Sequence, residues 1–206
     1  TYRLTTVLRT LLRMVIRFSE INLDFRILSS IFAFIKQSIM IGLEEYRENA
    51  RKNNLCQEYT DIWDSCKSNK QVFDMAVGAK GVDYLCDTIA KGWGISPSVI
   101  SERFRPFING RYISKQNGYT SSMYCEYKGE FTASTEVLAI INSDVVISIP
   151  KNMICEIYTV GVCKIKLTGE GRCVVISYGS ENDALVESSC SNMKRIYKKE
   201  RDHYGD

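Results

Sequence analysis

The residue types that most often perform catalysis are scarce or widely spaced in this chain. Its only histidine, His203, lies in a charged stretch near the C-terminus, a poor place from which to position a general base. Eight cysteines are present, but no two lie closer than eight positions, so the CxxC spacing of zinc, redox and iron–sulfur sites does not occur. We therefore predict no enzymatic activity, no cofactor and no metal site. We also expect the cysteines to be buried, reduced thiols.

One pair of carboxylates has a spacing that could support acid–base chemistry. Asp83 and Asp87 lie four positions apart in a segment with helical periodicity, so both would project from one helix face. Lys80 and Lys91 flank them at helical spacing, which favours a solvated ladder of alternating charge over a catalytic pair.

Residues 89–104 resemble the helix-turn-helix pattern. Gly94 occupies the turn, and Ile95 and Ile100 occupy the apolar positions that hold the two helices together. Ser96 and Pro97 predict the start of the second helix, because they suit its N-cap and its first position. The candidate DNA contacts, on base edges or on phosphates, are Lys91, Ser96, Ser98, Val99, Arg103 and Arg105.

The overall composition is that of a globular protein with little net charge. Of 206 residues, 45% are hydrophobic and 25% are charged, which argues against wholesale disorder. The net charge of +3 provides only a small electrostatic footprint for nucleic acid or for a membrane surface.

The chain divides into helical segments followed by β-structure. In chain order we predict an amphipathic helical extension (1–39), a helical domain (40–108), a β connector (109–130), a repetitive β domain (131–193) and a charged tail (194–206). Residues 1–39 hold no glycine, cysteine or proline and precede Met40. Two interpretations stay open: an upstream extension that is not native, or a packing helix. We expect no membrane partner unless this segment is native.

The β domain repeats with a period of about 18 residues. Val137, Cys155 and Cys173 open comparable units, and residues 163–167 alternate cleanly between apolar and lysine side chains. The constant spacing favours a short β-solenoid of about three units, with an antiparallel β-meander or sandwich as the alternative. We expect the helical domain to cap one end of the stack and the charged tail to close the other.

Three parts of the chain carry a resemblance to a known family. Ile108–Tyr112 (INGRY), Gly118–Cys125 (GYTSSMYC) and the closing β units are similar to an uncharacterised family that is encoded by phages and prophages of gut bacteria. The resemblance runs from about Met40 to the C-terminus. It implies a bacterial protein that is cytoplasmic or virion-associated, and it assigns no functional residues.

Two functions follow from these observations. The leading prediction is a non-enzymatic interaction or assembly protein, in which the helical unit presents a small solenoid to a protein partner or to another copy. The alternative is a regulator that binds duplex DNA through residues 89–104 and uses the β region for oligomerisation or sensing.

Overall fold

Helices precede strands in the described part of the chain, as predicted for an α+β protein. The computed structural model describes residues 42–180, 183–190 and 192–198, so the predicted extension (1–39) lies outside it. The helices are α1 (Leu43–Lys52), α2 (Gln57–Ser65), α3 (Asn69–Val77), α4 (Ala79–Ala90) and α5 (Pro97–Arg103). No helix within these described ranges is long and apolar enough to cross a membrane.

In the described residues, ten strands form two sheets that face each other. Sheet A contains, in spatial order, β1 (Ser114–Gln116), β2 (Tyr119–Cys125), β4 (Val137–Ile141), β6 (Ile154–Val160), β8 (Arg172–Tyr178) and β10 (Asn192–Lys198). Sheet B contains β3 (Lys128–Thr132), β5 (Asp144–Ile149), β7 (Cys163–Gly169) and β9 (Ala184–Ser188). The β1–β2 pair is antiparallel, and every other pairing between the strands named above is parallel.

The parallel strands form a β-solenoid, which confirms the preferred fold over the meander. Each coil passes once through sheet A and once through sheet B, giving four coils (β2–β3, β4–β5, β6–β7 and β8–β9), after which β10 begins a fifth. Apolar side chains from both sheets fill the space between them, including Ile140 and Ile157 from sheet A and Ile147 and Ile165 from sheet B. Burial of this continuous apolar interior stabilises the stack.

The pairing register differs from the predicted constant period. Cys155 pairs with Cys173 as expected, but Val137 pairs with Glu156 and Val145 pairs with Ile165. Along sheet A, paired residues are 16, 19, 18 and 20 positions apart from one coil to the next. The period varies because the corners between strands differ in length, while the strands themselves stay in register.

A left-handed residue follows each sheet A strand of the four coils. These residues are Glu126, Asn142, Gly161 and Gly179, with φ of 49°, 45°, 74° and 94°. At the third corner a Cβ on Gly161 would lie 2.0 Å from Asn142 Oδ1, which accepts a hydrogen bond from Val162 N at 3.0 Å. Glycine is therefore required where the Asn142 side chain links two successive coils.

The helices cover the outer face of sheet A, and the prediction that they cap an end of the solenoid is wrong. Helix α4 packs on β6 and β8, and α3 and α5 pack on β2. All five residues of β4 are buried, because Leu138 and Ile140 face the solenoid interior while Val137, Ala139 and Ile141 pack into the helical core. Strands that are apolar on both sides need cover on both faces of the sheet.

Ser68 and Gln71 have the spacing of a capping box, which predicts one long helix from Ser68, but the structure has two helices there. Ser68 caps α3 as expected, since its side chain accepts a hydrogen bond from Gln71 N. The chain then turns at Gly78, whose backbone is extended, before α4 begins. A Cβ on Gly81 would lie 2.0 Å from Met75 O, so this glycine allows the end of α3 to approach α4 closely.

Aromatic side chains close the N-terminal end of the solenoid, and most of them come from the segment predicted to be a connector (109–130). Tyr124 and Phe131 project into the interior from β2 and β3 and stack with centroids 3.8 Å apart, with Tyr127 against Tyr124. The first coil therefore starts at Tyr119, well before the predicted start at 131. At the other end β10 runs to Lys198, so part of the predicted charged tail (194–206) belongs to sheet A.

Candidate functional site

The thiols sit in surroundings that disfavour nucleophilic chemistry. All eight cysteines are free, and five of them are buried. Burial raises the pKa of Cys155 and Cys125 to about 12 and that of Cys173 to about 11. The reactive thiolate form is therefore strongly disfavoured at neutral pH in all three. Among the described residues no three His, Cys, Asp or Glu side chains form a group that could hold a metal ion.

Asp83 and Asp87 bind different partners, so they do not act as a pair. Asp87 forms the predicted i,i+4 ion pair with Lys91, at 2.9 Å. Asp83 instead accepts hydrogen bonds from the Tyr178 hydroxyl and from the ammonium group of Lys198, both in sheet A. Burial, together with the Asp83 carboxylate, raises the pKa of the Tyr178 hydroxyl, which therefore stays protonated as a donor. Sequence reasoning missed this contact because 115 positions separate Lys198 from Asp83.

The predicted second helix of the helix-turn-helix forms, with the expected cap. Ser96 Oγ accepts a hydrogen bond from Val99 N at 3.4 Å, and Pro97 occupies the first turn of α5. The side of α5 that carries Ser101 contacts the end of β2, where Ser101 Oγ donates to Glu126 Oε2 at 2.8 Å. Helix α5 is seven residues long and is held against sheet A along one side.

The six candidate DNA contacts fall into two groups. Val99 is 9% exposed, and Ser96 and Lys91 already take part in the helix cap and in the pair with Asp87. Arg103 and Arg105 are exposed, and the partly exposed Ser98 lies with its Oγ 3.2 Å from that of Ser96. The structure therefore offers two arginine side chains to solvent in this region, whereas Val99 is not placed to contact a base edge.

Two adjoining clefts cross the surface of the helical layer. The larger has a volume of about 530 Å³ and lies between α2, α3 and the β1–β2 hairpin; the smaller, about 370 Å³, lies beside α4 and β6. Tyr59 and Lys80 line both clefts, so the two clefts are neighbours. Tyr119 lines the larger cleft and Tyr158 the smaller, and tyrosine side chains suit contact with another molecule.

The outer side of sheet B is an open, regular surface, here called the sheet B face. Parallel pairing places its outward side chains in rows across the four strands. The first row is Lys128, Asp144, Lys164 and Leu185; the second is Glu130, Val146, Lys166 and Glu187. Apart from the half-buried Val146, all of these side chains are exposed. The two rows carry three positive and three negative charges, so the face has no net charge to repel a partner.

Apolar side chains are exposed at the C-terminal side of this face. Val162, at the corner before β7, is 73% exposed, and Leu185 in β9 is 60% exposed. Leu185 pairs with Lys164, two residues after Val162. Large apolar side chains exposed near one another are typical of contact surfaces.

Comparison with known proteins yields no match to a protein-family model, to a curated protein or to a solved structure.

Proposed function

We propose that the protein is a non-enzymatic interaction or assembly protein that makes its contact through the sheet B face. The observation that carries the proposal is the asymmetry of the solenoid. Helices cover the outer side of sheet A, whereas the outer side of sheet B presents in-register rows of exposed side chains in the described residues. A rigid β surface holds neighbouring side chains of one row about 4.8 Å apart, which suits it to a complementary protein surface.

Chemical features of the face support protein contact. Interspersed charges of both signs set register and partner choice, while Val162 and Leu185 provide apolar area that a partner would remove from water. The raised pKa values of the buried thiols fit a protein that does not use them as nucleophiles. Either a second copy or another protein could occupy such a face.

Photocrosslinking tests the proposal directly. A photoreactive residue replaces Lys166, at the centre of the face, and in a matched variant it replaces Lys52, which is exposed in α1. We expect the variant at position 166 to give a discrete adduct, either with a second copy of the chain or with one partner protein in cells of the source organism. The variant at position 52 should give none.

Charge reversal provides the second arm of the test. In the chain that carries the photoreactive residue at position 166, Lys128→Glu with Lys164→Glu should lower adduct yield about tenfold, because it replaces two positive charges of the first row with negative ones. Lys52→Glu with Lys115→Glu makes the same change of charge elsewhere and should leave the yield unchanged. Equal yields from both double variants would contradict the proposal.

The biological setting is part of the proposal. The resemblance of residues 40–206 to a phage- and prophage-encoded family supports a bacterial protein that is cytoplasmic or virion-associated. In either place a small solenoid with one covered and one open side would serve as an assembly contact.

A further inference from the structure

The solenoid ends in a step, because sheet A has two more strands than sheet B in the described chain. At the C-terminal end β8 and β9 form the fourth coil, and β10 adds a fifth rung to sheet A only. No described strand pairs with β9 on the side opposite β7. We call this place, bounded by the outer edge of β9 and the inner side of β10, the C-terminal step.

The backbone groups of β9 alternate between its neighbour and the step. Cys163 N donates to Asp183 O at 2.8 Å, and Ser189 N donates to Leu167 O at 3.0 Å, so the odd-numbered residues of this segment pair with β7. The N–H and C=O groups of Ala184, Val186 and Ser188 therefore point into the step, where Ala184 O already accepts a hydrogen bond from Arg195. Such a row of edge groups is a template for another strand.

The shape of the step admits one strand and excludes a second copy. If another solenoid placed its β3 beside β9, its β2 would have to occupy the rung that β10 already fills. An edge-to-edge pair of β9 strands, related by a two-fold axis, would drive the partner's β10 into the rung of β8. A single extended segment meets neither obstacle.

The inner side of β10 indicates the chemistry of that segment. Arg195 faces the interior, donates to Ala184 O at 2.6 Å and has its guanidinium 4.3 Å from the Tyr197 ring centroid. Its Nε is buried and has no hydrogen-bond partner among the described residues. Val186 and Met193 line the same space and are only partly buried. An inward carboxylate would pair with Arg195, and an inward apolar side chain would cover Val186.

We propose that the C-terminal step binds an extended peptide segment of a partner protein, which adds as a parallel strand beside β9. The segment carries an acidic side chain facing Arg195, followed two residues later by an apolar side chain facing Val186. This inference goes beyond the proposed function, because the site uses backbone groups and inward side chains rather than the sheet B face.

Two synthetic peptides test the proposal. Both carry the sequence of residues 162–169, which already forms the strand beside β9, and they differ only at the position of Cys163, the row of Ala184. One peptide has glutamate there and the other lysine. With fluorescein-labelled peptides and the full chain, we expect fluorescence anisotropy to show binding of the glutamate peptide about tenfold tighter than that of the lysine peptide.

Variants of the protein separate the backbone contribution from the charge contribution. Val186→Pro removes an edge N–H while leaving the β7–β9 ladder intact, and it should weaken both peptides about tenfold. Arg195→Met should remove the preference for glutamate and leave the lysine peptide unchanged. Leu185→Lys is the substitute variant if Val186→Pro fails to fold. It keeps the edge N–H groups and places a charge beside the step, and it should weaken binding of both peptides.

Three results would overturn the proposal. The first is no binding of the glutamate peptide by the full chain. The second is equal binding by wild type and Val186→Pro. The third is binding only by a variant ending at Lys198, which would show that the chain's own last residues fill the step. The Lys128→Glu/Lys164→Glu variant should retain the edge contacts with both peptides, so failure at the sheet B face is distinguishable from failure here.

Discussion

At the scale of single residues, Asp74 links helix α3 to the start of the β1–β2 hairpin. Its carboxylate accepts a hydrogen bond from the Tyr112 hydroxyl at 3.0 Å and pairs with Lys70 at 2.7 Å. Burial would raise the pKa of this carboxyl, but hydrogen bonds from Lys70, Ser114 and Tyr112 outweigh burial and lower it. The ionised form is therefore part of the folded structure.

We expect Asp74→Asn to lower the free energy of unfolding by about 1–2 kcal/mol at pH 7, because charge-assisted hydrogen bonds are lost. Since the folded-state pKa of Asp74 is depressed, its contribution is present above the unfolded value of about 4 and is lost as pH falls through the folded value. The gap between wild type and variant should therefore close in acid. Urea unfolding at pH 7 and in acid measures it, with exposed Glu48→Gln as the control.

At the scale of elements, the strand pattern was predictable and the register was not. Clean alternation in residues 163–167 predicted a half-exposed strand, and β7 has that burial pattern. A fixed 18-residue offset placed Val145 beside Cys163, whereas Ile165 is its partner. The register depends on the lengths of the corners, and these depend on backbone conformation. A left-handed residue is hard to predict from sequence where it is not glycine, as at Glu126.

The helix-turn-helix shows how an element can be predicted correctly while its function stays open. The cap and start of α5 follow from Ser96 and Pro97, and both are confirmed. The burial of Val99 could not be predicted, because it results from packing within the helical core. DNA binding remains a hypothesis supported by the exposed Arg103 and Arg105.

We expect the chain from Met40 onward to show no salt-dependent binding to duplex DNA, because two exposed arginines offer few phosphate contacts. Fluorescence anisotropy at two salt concentrations checks this expectation. The control is a variant with glutamine at Lys91, Arg103 and Arg105. Tight binding that weakens steeply with salt, and is lost in the glutamine variant, would establish the DNA-binding alternative instead.

At the scale of the whole molecule, the helices and the solenoid share one apolar core on the outer face of sheet A. Met123 and Ile141 from the sheet share a core with Phe73 and Ile100 from the helices. This arrangement was not predictable from separate helical and β segments, because the sequence suggests two domains in series. The covered face makes sheet A a structural layer and leaves sheet B as the surface open to a partner.

The contact of Asp83 with Tyr178 and Lys198 fastens the last strand to helix α4. Lys198 ends β10, so its bond to α4 ties the fifth rung of sheet A to the helical layer across 115 positions of sequence. We expect Asp83→Asn to accelerate amide hydrogen exchange throughout β10, because the rung would open without unfolding the rest. Exchange in α1 and α2 should not change.

Asp87→Asn is the matched control, since Asp87 lies one turn along the same helix and pairs only with the neighbouring Lys91 among the described ion pairs. Loss of that local pair should cost about 0.3–0.5 kcal/mol and leave β10 protected. Hydrogen exchange followed by mass spectrometry compares the two variants on the same peptides. Equal exchange of β10 in both would show that the strand is held by its pairing with β8 alone. Faster exchange only in Asp83→Asn would make the accessibility of the C-terminal step depend on a contact made by the helical layer.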